Sequence, residues 1–208
     1  MKKLFSFAAG FWMVVVLILL SILVPALNPA RFEQAVLNTV NPQAVGMSES
    51  DLTAFARETM EYLRGEKDAW QPQTPFAIPE SFVAHMAEVR GWVDVLKIAL
   101  PIGLLLCTVG LWLGRDFRAA RNGMLCMLGL MAAVLLWAVI DFDSLWMVIH
   151  RVLIPGGIFP AGEPVMQLFP LSLFFSYILP VVFWLGVWLV VVGGIGWLLS
   201  RKYRHTVA

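Results

Sequence analysis

The sequence predicts an all-α membrane protein with four transmembrane helices and a small, mainly helical cap that has room for a short extended ribbon. Hydrophobic residues make up 60% of the chain and charged residues only 14%. In soluble domains, roughly 45–50% of the residues are apolar and about 25% are charged. Four apolar runs reach the length of about 20 residues that a helix needs to cross a bilayer. The nine Trp and fourteen Phe exclude a disordered chain, because so many aromatic side chains do not stay solvated.

The four apolar runs predict spans at 1–27, 95–114, 123–140 and 171–199. Lys2 and Lys3 precede the first run as in a signal peptide, but the run is longer than a signal's apolar region and no small-x-small cleavage site follows. We therefore interpret it as a retained helix. Pro180 is expected to kink or tilt the fourth span.

The distribution of charge predicts the orientation of the chain. Eight of the fifteen cations lie at the N-terminus, in the loop 115–122 and in the tail 200–208, with one anion, Asp116, among them. Cations in short segments mark the cytoplasmic side. Both termini are thus expected in the cytoplasm, and the segments 28–94 and 141–170 on the outer side.

The outer segment 28–94 is too long for a simple loop, so we expect a cap. A short helix is expected over 31–37, and Ser48-x-x-Asp51 forms a capping-box pattern that opens a second helix. Gly65 is expected to end that helix. The three prolines of 68–79 rule out a regular helix there and leave room for the ribbon.

Two further helices are predicted to carry histidines. Pro79-Glu80 opens a helix that runs through His85 into the second span, because proline and acidic residues favour a helix N-terminus. In the second outer segment, Asp143 is expected to cap a short helix that carries His150, before an irregular loop rich in Pro and Gly.

His85 and His150 are the candidate catalytic residues. They come from separate outer segments, yet the topology brings both to one face near the ends of spans, and ionisable groups at such a depth indicate function. The alternative is a pair of packed structural histidines. His205, in the basic tail, is interpreted as a solvated residue.

Nearby charges are candidates for support. Glu88 lies three residues after His85 and is expected to orient it, and Glu80 reaches the same place less readily. Arg90 and Arg151 could hold a carbonyl or carboxylate oxygen, and the remaining candidates are Asp141 and Asp143. The alternative is a wetted interface with arginines that extend to water.

No nucleophile motif, phosphate-binding loop, CxxC pair or dinucleotide fingerprint is present, so no cofactor is expected. His85, Glu88 and His150 could in principle supply three metal ligands. The H-E-x-x-H pattern of zinc proteases is absent, so no metal is expected either.

Two stretches carry a family resemblance. The first reads Pro75-Phe76-x-x-x-Glu80-x-x-x-x-His85-Met86-x-Glu88-Val89-Arg90, and the second is His150 followed by Met166-x-Leu168-Phe169-Pro170 and Phe174-Phe175. With four spans and a large first outer segment, they resemble the Lit family of lipoprotein intramolecular transacylases. The resemblance departs at Glu88, where the family usually has Asp, and at Ile158-Phe159-Pro160, where it usually has a Trp.

The resemblance implies an acyltransferase of the bacterial cytoplasmic membrane with its active site on the extracytoplasmic face. Such an enzyme moves the sn-2 acyl chain of a diacylglyceryl-modified lipoprotein to the α-amine of the lipoprotein's N-terminal cysteine. Its partners are the lipoprotein and membrane lipid, not nucleic acid, and its essential residues match His85 and His150. The reaction needs no protein nucleophile, since one histidine can act as base and the other as proton or hydrogen-bond donor. We favour His150 as the base and leave the oligomeric state open.

Two other functions stay open at this stage. A metal-dependent membrane hydrolase would use His85, Glu88 and His150. A scaffold or transporter subunit would need no catalysis, but a transporter should place ionisable groups within its spans, and these are nearly free of them apart from Lys97.

Overall fold

The computed structural model describes residues 1–154, 159 and 162–206, with side chains omitted for 197 and 199–206. Over these residues the chain forms ten helices and no strand: α1 (Lys2–Ala26), α2 (Pro29–Thr39), α3 (Pro42–Val45), α4 (Glu49–Arg64), α5 (Glu80–Gly114), α6 (Phe117–Ile140), α7 (Phe142–Leu153), α8 (Pro164–Gln167), α9 (Leu171–Phe175) and α10 (Ile178–Thr206). The all-α fold class is thereby confirmed.

Four of these helices are long and apolar enough to cross a membrane: α1, α5, α6 and the Ile178–Gly196 part of α10. Helix α5 has 35 residues, so its length is about 52 Å at about 1.5 Å per residue. This length exceeds the thickness of the hydrocarbon core of a bilayer, which is about 30 Å. All the charged residues of α5 lie between Glu80 and Lys97. The N-terminal turns of α5 are therefore polar, and the apolar span follows them.

The chain divides into two compact units. One, the helical unit, comprises Met1–Ile22, Lys97–Ile140 and Pro180–Ala208, and the other, the cap unit, comprises Leu23–Leu96 and Asp141–Leu179. The cap unit holds a hydrophobic core in which Trp70, Phe55 and Leu52 are almost completely buried. The indole Nε1 of Trp70 donates a hydrogen bond of 3.1 Å to the Thr59 hydroxyl, so the one polar atom of this large side chain is satisfied.

The local signals of the cap are confirmed. The Ser48 hydroxyl accepts from the backbone N–H of Asp51, whose carboxylate accepts from the N–H of Ser48. Gly65 ends α4 in the left-handed conformation with φ of 84°, which glycine adopts without strain. Leu52, Phe55 and Thr59 are all buried, as expected for residues that share one face of this helix.

The segment between α4 and α5 is irregular. No strand forms within its described residues, so the extended ribbon considered from its prolines is not confirmed. The Arg90 side chain fastens the start of the segment, because its Nη1 donates to the carbonyl oxygens of Lys67 at 2.7 Å and Asp68 at 3.4 Å. Its guanidinium carbon also lies 4.9 Å from the centre of the Tyr62 ring.

Two expectations about helix ends are wrong. Asp141, not Asp143, caps α7, because its carboxylate accepts from the N–H of Ser144 at 3.0 Å while Asp143 falls in the first turn. The predicted fourth span at 171–199 is divided, since α9 ends at Phe175 and α10 begins at Ile178.

Pro180 explains the division of the fourth apolar run. A proline has no N–H to offer the carbonyl four residues before it, and its ring clashes with that carbonyl. The carbonyl in question belongs to Ser176, and it accepts a 2.7 Å hydrogen bond from Nη2 of Arg31 in α2 instead. The chain therefore breaks at Ser176, and an arginine of α2 satisfies the freed oxygen.

In the helical unit, glycines bring α1 and α6 into backbone contact. A Cβ added at Gly123 would collide with the carbonyl oxygen of Phe7, and one at Gly10 with that of Ala120. Gly129 of the same helix α6 has open space instead.

We expect Gly123→Ala to destabilise the protein by about 1–3 kcal/mol, because the added methyl group forces two backbones apart. Gly129→Ala is the matched control and should be neutral or stabilising, since alanine favours a helix over glycine by up to about 1 kcal/mol. Thermal unfolding of the two variants in one detergent measures the difference. Equal midpoints would contradict the close α1–α6 contact.

Candidate active site

His85 lies in the second turn of α5, within the cap unit. Its ring centre is 5.6 Å from that of Phe82 and 5.5 Å from that of Phe159. Phe82 belongs to the cap core and is 3% exposed, so the aromatic core positions the half-buried imidazole. Two aromatic residues of the cap unit thus contact the His85 ring.

His150 lies near the end of α7 and is 8% exposed. Its ring centre is 6.4 Å from that of His85. The two imidazoles are thus too far apart to stack, yet near enough for a single substrate group to reach both. The two candidate catalytic residues, predicted from separate segments, do come together in the cap unit.

The contacts of His150 fix its tautomer. Nδ1 lies 3.0 Å from the carbonyl oxygen of Trp146. A carbonyl can only accept, so Nδ1 carries the proton and Nε2 of the neutral ring carries the lone pair. The indole of Trp146 also covers His150, with ring centres 4.2 Å apart.

His85 is set up as a neutral imidazole. Burial lowers the pKa of His85 below its usual range, the neighbouring His150 lowers it further, and the charge of Glu88 raises it in part. Its buried Nδ1 has no hydrogen-bond partner among the described residues. A neutral imidazole keeps one N–H that can donate to substrate without giving up its proton.

The charged residues expected to support the site are placed as follows. Glu88 is exposed, and its charge raises the pKa of His85 in part. Arg90 holds backbone carbonyls of the cap, and Asp141 caps α7. The remaining three, Glu80, Asp143 and Arg151, are exposed.

Sequence reasoning missed the aromatic residues that line the histidines, namely Phe82, Trp146 and Phe159. The spacing of Trp146 and His150, four residues apart on one helix, was the available signal. Phe82 could not be separated from ordinary core residues, because its contact with His85 depends on the fold.

Among the described residues, no three His, Cys, Asp or Glu side chains converge as ligands of a metal ion would. The arrangement suits acid–base chemistry at a partly desolvated histidine pair, with one ring able to take a proton and the other able to donate a hydrogen bond.

A protein-family model matches most of the chain. The family model described as lipoprotein intramolecular transacylase Lit matches residues 7–175, which is well over half of the chain. No curated protein sequence matches the chain.

Solved structures share the fold. An in meso structure of the membrane-integral lipoprotein intramolecular transacylase Lit from Bacillus cereus matches with a TM-score of 0.78 and 14% identity, over 99% of this chain and 98% of that chain. A His→Arg variant and a His→Ala variant of the same enzyme each match with a TM-score of 0.76 and 14% identity, over 99% of this chain and 95% and 96% of theirs. At this identity the likeness shows that the chain has the fold of a membrane-integral helical protein.

Proposed function

This chain belongs to the Lit family of lipoprotein intramolecular transacylases, and we propose that it transfers an acyl chain within a lipoprotein through His85 and His150. The donor is the sn-2 ester of the diacylglyceryl group, and the acceptor is the α-amine of the N-terminal cysteine that carries this group. The product is a lyso-form lipoprotein. The observation that carries the proposal is the histidine pair, 6.4 Å apart within an aromatic surround.

His150 is the base in this proposal. Its Nδ1–H donates to the Trp146 carbonyl, which leaves Nε2 to take a proton from the amine as nitrogen attacks the ester carbon. The amine must be neutral to attack, and an α-amino group has a pKa of about 7.7–8.0. A histidine base is matched to that range.

His85 is the oxyanion donor. As the C–N bond forms, negative charge develops on the former carbonyl oxygen, and a neutral imidazole N–H can stabilise it. The lowered pKa of His85 favours this neutral form. When the C–O bond breaks, the proton held by His150 passes to the glyceryl oxygen, so the protein ends in its starting protonation state.

The proposed reaction uses no protein nucleophile, because donor and acceptor belong to one molecule. Holding two groups of one substrate in contact supplies much of the rate through effective molarity. Water would compete with the amine for the ester. Phe82, Phe159 and Trp146 around the two rings reduce its access.

We place the enzyme in a bacterial cytoplasmic membrane with both termini in the cytoplasm. The cation-rich segments at the N-terminus, 115–122 and 200–208 support this orientation. The segments 28–94 and 141–170, which carry the histidines, are then extracytoplasmic, where lipoproteins are exposed. Membrane lipid surrounds the four spans, α1, α5, α6 and α10.

The experiment uses purified enzyme in bilayers with a synthetic diacylglyceryl-cysteine lipopeptide that has a free α-amine. We expect a product of unchanged mass whose fragment spectrum places one acyl chain on nitrogen. A lipopeptide with an acetylated amine is the control and should stay unreacted. Loss of an acyl chain from either peptide would indicate a hydrolase and contradict the proposal.

A further inference from the structure

We infer that Trp146 is a positioning residue of this reaction, because its carbonyl selects the tautomer of His150 and its indole supports the ring when it becomes charged. The inference rests on the proposed function of His150. Trp146 lies one helical turn before His150, so both contacts come from a single residue of α7. None of the residues expected from the sequence to support the site fills this role.

Two phenylalanine rings contact the indole of Trp146. Its ring centre is 5.7 Å from that of Phe142 on the same helix, in a stacked arrangement, and 4.9 Å from that of Phe174 in α9. The imidazole of His150 lies 4.2 Å away, tilted by 43°. The face of an indole is therefore presented to the ring that takes the proton.

The proton transfer creates a cation in a poorly solvated place. His150 is 8% exposed, and the described structure gives its Nδ1 a carbonyl partner rather than a carboxylate. From α5 the titratable group beside it is His85, and on its own helix Asp143 and Arg151 are exposed. A histidine base of this kind usually depends on an acid for orientation and charge.

Trp146 supplies both effects without an acid. Its carbonyl orients the imidazole through the Nδ1–H bond, as a carboxylate does in a catalytic triad. Its indole face attracts the imidazolium, and this attraction is strongest for tryptophan and for desolvated cations. The neutral ring gains less from the indole, so the contact favours the state formed during the reaction.

The test compares Trp146→Leu with Trp146→Phe. Leucine fills part of the space without a π face, and both variants keep the backbone carbonyl that sets the tautomer. We expect kcat of Trp146→Leu to fall roughly tenfold to thirtyfold with little change in KM, from the strength of a desolvated cation–π contact. Trp146→Phe should recover most of the rate, because an aromatic face returns.

The split between kcat and KM separates this role from a structural one. A site that has lost its shape would bind substrate more weakly and raise KM, whereas loss of charge stabilisation in the reacting state lowers kcat alone. Trp12→Leu, which removes an exposed tryptophan of α1 outside the site, controls for general loss of an indole.

Each outcome has one meaning. If Trp146→Leu folds and keeps the wild-type kcat while His150→Gln is inactive, the inference is wrong and the proposed function stands. If His150→Gln is itself active, the proposed function fails first. Should Trp146→Leu fail to fold, Trp146→Phe and Trp146→Tyr decide, since loss of activity in both folded variants would contradict a role for the aromatic face.

Discussion

Replacing His150 by glutamine is expected to lower the initial rate of acyl transfer by about 10²–10⁴-fold, the usual contribution of a general base. Glutamine has a similar reach, and its amide N–H can still donate to the Trp146 carbonyl. It cannot take a proton, so the attacking amine has no base. Because the packing is nearly preserved, the variant should insert and fold.

The matched control for this variant is His205→Gln. His205 is in the C-terminal tail, and the same chemical change there should leave the rate unchanged. Initial rates on the synthetic lipopeptide, with folding checked by thermal unfolding, complete the measurement. A wild-type rate for His150→Gln would remove His150 from the role of base.

Replacing His85 by phenylalanine is expected to reduce kcat by about 10²–10³-fold, the usual cost of removing one oxyanion donor. Phenylalanine is chosen because the site around residue 85 is already aromatic, with Phe82 and Phe159 as neighbours. The loss can then be assigned to the missing N–H rather than to collapse of the cap.

A second substitution at the same position tests the chemical basis. His85→Gln returns an N–H donor, and its activity should lie between that of His85→Phe and wild type. If His85→Gln is as inactive as His85→Phe, donation alone is not the role of His85. If His85→Phe is fully active, the ring only packs against its neighbours.

Much of the fold follows from local chemistry. The sequence predicted four features that each depend on residues close together in the chain. They are the apolar runs, the Ser48–Asp51 capping box, the end of α4 at Gly65 and the start of α5 at Pro79-Glu80. The pairing of His85 with His150 was also predictable, since the expected topology brings their segments to one side.

What could not be predicted depends on contacts between distant residues. Pro180 was expected to kink a continuous helix, but the break came at Ser176 because Arg31 is there to bind the freed carbonyl. The contacts of Trp146 with Phe174 of α9 likewise depend on the tertiary fold.

The bond from Arg31 to Ser176 also constrains the order of events during synthesis. Its partners are separated by 145 residues, so the ribosome completes the donor long before the acceptor exists. The cap core has the same division, with Phe32 and Val36 made early and Leu168 and Leu173 made late. A nascent chain therefore cannot close its cap until the last span is being translated. Since His150 also arrives late, the proposed histidine pair can form only after most of the chain has been made.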